Sequence, residues 1–162
     1  MKKEGLVFLV LMFAIAILYL SQKKIIETGE WIVAKIVGIY DEIYKRWADL
    51  RDLDWRLLKA VAIVESSENA NVTGDEGRSH GLMQISSLVG SSFGLMVEDL
   101  YEPNLNVQAG SGFLKEMIDK YGLEGGIQAY NLGETKFRQG LTSPTYLSKV
   151  INEYERLKGT EA

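Results

Sequence analysis

LLKAVAIVESSENANVTGDEGRSHGLMQI, residues 57–85, is the stretch on which the reading of this chain turns. With Asp54 as N-cap, Leu57, Leu58, Val61 and Val64 recur at the three- and four-residue spacing of an amphipathic helix that buries this stripe. Glu65 falls on the same stripe, four residues after Val61 and seven after Leu58. At about 100° per residue it projects between them, toward the core. Burial disfavours the ionised form of a carboxyl and raises its pKa, which suits a general acid working near neutral pH. The alternative is that Glu65 merely ends the helix and pairs with a cation such as Arg78. Past Glu65 the helical period stops. Residues 66–80 carry Asn69, Asn71, Gly74 and Gly77, loop chemistry with room for a short β-hairpin.

Composition narrows what such a carboxyl can do. At 162 residues and 46% hydrophobic, the chain has material for one core with accessories rather than two domains. Eighteen basic residues against 22 acidic ones give a net charge of −4, which argues against nucleic acid as a partner. There is no cysteine and a single histidine, His80, so thiol chemistry, disulfides and Cys–His zinc sites are excluded. Catalysis must therefore rest on carboxylates, hydroxyls and amides.

The N-terminus carries a targeting signal. Residues 5–22 contain no charge and 6–20 are almost wholly apolar, with Lys2 and Lys3 before and Lys23 and Lys24 after. At 1.5 Å per residue the apolar run spans roughly 24–27 Å, slightly short of a bilayer core of about 30 Å, and flanking lysines can snorkel to make up the difference. The rival is a cleaved signal peptide, but the run ends Leu18-Tyr19-Leu20, bulky where small residues are wanted. We therefore expect a single-pass anchor over 1–22, embedded in a lipid bilayer through 5–22. Two lysines on each side leave its orientation open.

Beyond the anchor, Ile32, Ile36, Ile39, Tyr40, Ile43 and Trp47 keep a helical period, read as a stalk helix over 23–37 followed by a helix that packs on the Glu65 helix. Residues 51–54 form the turn between them. Residues 82–89 are expected to restart a short helix, with one further turn near 97–101. Asn106 is expected to cap a long helix carrying Phe113, Leu114, Met117, Ile118 and Tyr121 and ending at Gly122. A short helix over 125–131 and a last one opened by Pro144, with Leu147, Val150, Ile151, Tyr154 and Leu157 inward, complete a mainly α domain over 38–162. His80, alone in its loop, is expected at a groove edge or in solvent.

Five ordered motifs carry a resemblance: LKAVAIVES at 58–66, GLMQI at 81–85, NVQAG at 106–110, AYN at 129–131, and Tyr146 within TYLSKV at 145–150. Together they resemble the soluble-lytic-transglycosylase (SLT) type, relatives of goose-type lysozyme. The resemblance implies a lysozyme-like, mainly helical fold with a cleft. It also implies cleavage of bacterial peptidoglycan between N-acetylmuramic acid and N-acetylglucosamine, without metal or cofactor. On this resemblance Glu65 is the single catalytic acid and base, with Ser66 beside it. Met83 and Gln84 line the groove, Tyr130 and Asn131 flank the scissile sugar, and Tyr146 reaches toward the Glu65 carboxyl. The product implied is a 1,6-anhydromuramyl end, the substrate's own N-acetyl group replacing the second carboxylate of most glycosidases.

Two positions depart from the family pattern: Asn69-Ala70 stands where Asn-Pro is usual, and Thr142-Ser143 where Glu-Thr is usual. The loop around Asp75 and Glu76 is closer to the glycine-aspartate loop of some lysozyme-like members, so either carboxylate could position a water. Two alternatives thus stay open: a goose-type hydrolase, and a non-catalytic glycan-binding envelope protein. Because peptidoglycan lies outside the cytoplasmic membrane, the domain is expected on the extracytoplasmic side.

Overall fold

The computed structural model describes residues 38–160. The expected anchor and stalk, 1–37, lie outside the described residues. Among the described residues no helix is long and apolar enough to cross a membrane.

The fold grows from two adjacent helices, α1 (Asp41–Asp49) and α2 (Trp55–Ser66). Asp54 caps α2 as its sequence predicts, its carboxylate accepting the Arg56 N–H at 2.9 Å. Leu58, Ala60, Val61 and Ala62 are completely buried. Each large apolar side chain so placed contributes roughly 1.5–3 kcal/mol relative to exposure. Buried Lys59 meets Asp41 of α1 at 2.6 Å, joining the two helices through an ion pair at the core's edge.

A small antiparallel sheet in the order β1-β2-β3 follows, made of β1 (Thr73–Gly74), β2 (Ser79–His80) and β3 (Ile85–Ser86). Thr73 pairs with His80, and His80 with Ile85. The connection between β1 and β2 is a one-turn 3₁₀ helix, Asp75–Gly77. The expected helix over 82–89 is therefore only half right. Ile85 and Ser86 pair as a strand, and helix α3 (Ser87–Ser92) starts only after Ser86, whose hydroxyl caps it. Cross-strand partners outweighed the apolar run, a tertiary effect that periodicity does not carry.

After a 3₁₀ turn at Glu98–Tyr101 comes α4 (Pro103–Leu132), interrupted at Gly122, whose φ of 72° and ψ of 175° break the helical path. Glycine alone adopts this backbone freely. The break expected at Gly122 is present, and 125–132 continue as the second arm. The expected cap is not: Glu102 accepts the Leu105 N–H at 2.8 Å, while Asn106 sits one turn inside, completely buried. Helices α5 (Glu134–Arg138) and α6 (Pro144–Gly159) complete the chain. α6 lies against α2 and α4, with Val150 and Leu157 buried and Leu147, Ile151 and Tyr154 partly so. Tyr154 donates to Asp54 at 3.0 Å, tying the last helix to the start of α2.

Candidate active site

Glu65 stands in the last turn of α2, partly buried. Its neighbours decide its chemistry. Burial pushes its carboxyl up to about 7, and the hydrogen bond donated by Tyr146 Oη at 2.6 Å draws it partly back. Arg78 does not pair with it: that guanidinium binds Asp75 at 2.9 Å and lies 3.8 Å from Glu76. The structural alternative of a Glu65–Arg78 ion pair is thereby removed. A carboxyl held near 7, with no cation partner among the described residues, is protonated for a large part of the time at neutral pH, as a general acid must be.

Tyr146 arrives from the first turn of α6, 81 residues downstream. Its approach is set by residues 128–143. The Ser143 N–H donates to the Gln128 side chain at 3.0 Å, and the Ser143 hydroxyl to Asn131 Oδ1 at 2.9 Å. Ser143 thus pins the start of α6 to the second arm of α4. Tyr130, from that same arm, is 7% exposed and donates to the Met83 carbonyl at 2.7 Å. Burial and the nearby Glu65 charge hold its phenol well above the ordinary tyrosine range, so it stays a neutral donor.

A cleft of about 230 Å³ opens beside Tyr130 and Asn131, lined by these two with Asp75, Ser79, Gln84, Val89 and Phe113 among others; Glu65 and Tyr146 are not among its lining residues. Phe113 packs on Tyr130 with ring centroids 5.4 Å apart. An aromatic wall beside polar side chains is a surface suited to sugar rings.

Residues 42–152 match the family described as the transglycosylase SLT domain. The chain belongs to this family. The SLT domain here is similar to a transglycosylase of Enterobacteria phage PRD1, 33% identical over 109 residues, covering 67% of this chain and 40% of the relative. It is also similar to the membrane-bound lytic murein transglycosylase F of Yersinia enterocolitica, 36% identical over 69 residues, or 43% of this chain and 14% of that one. The chain thus spans less than half the length of either relative. In fold it is similar to the 70 kDa soluble lytic transglycosylase SLT70 from Escherichia coli, with a TM-score of 0.56 at 23% identity over 70% of this chain and 19% of that one.

Within the SLT domain the expected groove residues divide. Asn131 and Tyr130 line the cleft, as does Gln84, although both N–H groups of its amide are engaged by the carbonyls of Val72 at 3.1 Å and Gly81 at 2.9 Å. Gln84 therefore shows a carbohydrate only acceptor capacity. Met83 does not line the groove: its side chain is completely buried, packed so tightly on Gly110 that a Cβ there would come within 2.5 Å of its sulfur. Ser66 is likewise buried, its hydroxyl donating to the Leu82 carbonyl at 2.8 Å and lying 3.1 Å from that of Ala62, so it is a tether and not a sugar contact. Asp75 is on the cleft wall but its side chain is 63% exposed and held by Arg78.

His80 also differs from expectation. It is 4% exposed, with Nδ1 2.9 Å from Tyr101 Oη, and Tyr101 Oη is 2.7 Å from Thr73 Oγ1. The pair ties the sheet to the 3₁₀ turn before α4. Phe113 was legible only as part of a core stripe, because periodicity cannot separate a cleft wall from a core position.

Proposed function

We propose that this chain is a peptidoglycan lytic transglycosylase, cleaving between N-acetylmuramic acid and N-acetylglucosamine with Glu65 as acid and then base. The observation that carries the reading is Glu65 itself: raised to about 7 by burial, without a cation partner among the described residues, and hydrogen-bonded by Tyr146. Membership of the SLT family and the names of the two relatives support the substrate. In the first half of the reaction Glu65 gives its proton to the glycosidic oxygen as the bond to the muramyl C1 breaks, and the substrate's N-acetyl oxygen shares the charge at C1. In the second half the C6 hydroxyl attacks C1 and its proton returns to Glu65, leaving a 1,6-anhydromuramyl end with no water consumed. Tyr130 and Asn131 flank the reacting sugar on this reading.

The hydrolase reading rests on Asp75, which lines the same cleft as Tyr130 and Asn131. Its exposure and its ion pair with Arg78 favour a rim position over that of a base holding a water. The membrane anchor over 1–22 and an extracytoplasmic domain belong to the same proposal, supported by the apolar run and by a relative named as membrane-bound. The test is Glu65→Gln, which keeps the volume and the Tyr146 hydrogen bond but cannot exchange a proton. We expect loss of turbidity clearing on purified cell walls with unchanged circular dichroism, while Glu68→Gln stays active. Near-normal clearing by Glu65→Gln would end the proposal.

A further inference from the structure

Residues 81–84, between β2 and β3, form a turn that no single neighbour could hold. Gly81 has φ 75° and Gln84 φ 48°, so both ends lie in the left-handed region, where a non-glycine residue needs external support. The support comes from three places. Ser66 of α2, next to Glu65, donates to the Leu82 carbonyl at 2.8 Å, and Tyr130 of α4 donates to the Met83 carbonyl at 2.7 Å. Between them stands Asn106, completely buried, with every polar atom of its amide engaged. Its Oδ1 accepts the Met83 N–H at 2.8 Å, and its Nδ2 donates to the carbonyls of His80 at 2.8 Å and Leu100 at 2.7 Å. Gly81 passes so close that a Cβ there would meet Asn106 Nδ2 at 2.4 Å.

We infer that Asn106 is a positioning residue for the reaction proposed above: by clamping the 81–84 turn it fixes the spacing between the C-terminal end of α2, which carries Glu65, and Tyr130. No smaller or apolar side chain can supply one acceptor and two donors from a single buried point. The turn is a continuous path that runs from Ser66 through Leu82 and Met83 to Tyr130, hydrogen-bonded at both ends. If it slackens, Tyr130 shifts away from Glu65 and water enters beside the carboxyl. Among the described residues the titratable groups facing that carboxyl are Tyr146, through its hydrogen bond, and Tyr130, through its proximity. Neither is a cation, so dehydration alone keeps Glu65 protonated near neutral pH, and dehydration depends on the packing being tight.

The inference rests on the transglycosylase reading, and its test is built to separate the two. Asn106→Asp keeps shape and acceptor but sets a carboxyl against two carbonyls. Ser66→Ala is the milder variant, freeing only the α2 side of the turn. For each variant that melts cooperatively we expect kcat on purified walls to fall about tenfold or more with KM changed less than threefold, and the alkaline limb of activity to move to lower pH.

A second measurement needs no activity at all. The melting-temperature difference between the parent and Glu65→Gln depends on pH because Glu65 titrates, and its midpoint should shift toward acid in the Asn106→Asp and Ser66→Ala backgrounds. If Asn106→Asp does not fold, the Ser66→Ala result decides. A folded variant with parental kcat, alkaline limb and midpoint overturns the inference. If the parent itself lacks wall-cleaving activity, a shifted midpoint upholds the clamp and overturns the transglycosylase reading instead.

Discussion

Tyr146 Oη and Glu65 Oε1, 81 residues apart in the chain, meet at 2.6 Å, and this bond opposes the burial that raises the Glu65 pKa. Removing it by Tyr146→Phe should push the carboxyl further up. The alkaline limb of activity, expected near pH 7 in the parent, should then move to higher pH while the maximal rate drops, because the base form needed in the second step loses its donor. A pH profile of wall clearing checks this, and a limb that moves to lower pH would contradict the assigned role of Tyr146.

Glu65 should also cost the protein stability in a pH-dependent way. Its carboxyl is raised from 4.5 to about 7, so between those values the folded state holds a proton that the unfolded state has released. Stability contributed by the protonated form is complete below 4.5 and declines as pH rises through 7. Above that the penalty levels off at on the order of 3 kcal/mol, from about 1.4 kcal/mol per unit. Glu65→Gln should therefore match the parent near pH 4 and melt higher at pH 8. A difference that does not change with pH would mean that Glu65 is not buried as described.

Gly81→Ala should be among the most damaging small substitutions in the domain. The residue has φ 75°, and a Cβ would lie 2.1 Å from the Leu100 carbonyl oxygen, which is backbone and cannot swing aside. We expect a loss of at least about 2–3 kcal/mol by urea denaturation. Gly77→Ala, at φ 90° with open space around it, is the comparison and should show the backbone strain alone, about 1 kcal/mol.

The product separates the two enzyme readings. A C6 hydroxyl held next to C1 has an effective molarity of about 10⁵–10⁸ M, far above that of water at roughly 55 M, so water wins only if a carboxylate activates it. Asp75 is exposed and paired with Arg78, and so we expect 1,6-anhydromuramyl ends to dominate. Mass spectrometry of muropeptides released from sacculi measures this. Mostly reducing ends, converted to anhydro ends by Asp75→Asn, would establish the hydrolase.

Orientation can be read independently of catalysis. A phosphatase fused after Ala162 should be active in cells and a cytosolic reporter at the same place inactive, because the proposed substrate lies beyond the membrane. The opposite pattern would put the enzyme and peptidoglycan on different sides.

The sequence alone determined the elements whose causes are local. The Asp54 cap, the apolar stripe of α2 with Glu65 on it, the stop at Gly122 and the start of α6 at Pro144 all depend on side chains within a few residues of one another. What tertiary structure decided were the partners. Asn106 has the composition of a helix cap and became a buried clamp, because three backbone groups from elsewhere in the chain converge on it. Met83 and Ser66 belong to the motifs yet face inward, and Ile85 pairs as a strand although its run reads as helical. Even the acidity of Glu65 was only half legible. Its spacing announced burial, but whether burial met a cation or a phenol depended on Arg78 folding back onto Asp75 and on α6 bringing Tyr146 to the carboxyl. A carboxyl's pKa is set by what surrounds it in space, and those neighbours are distant in sequence.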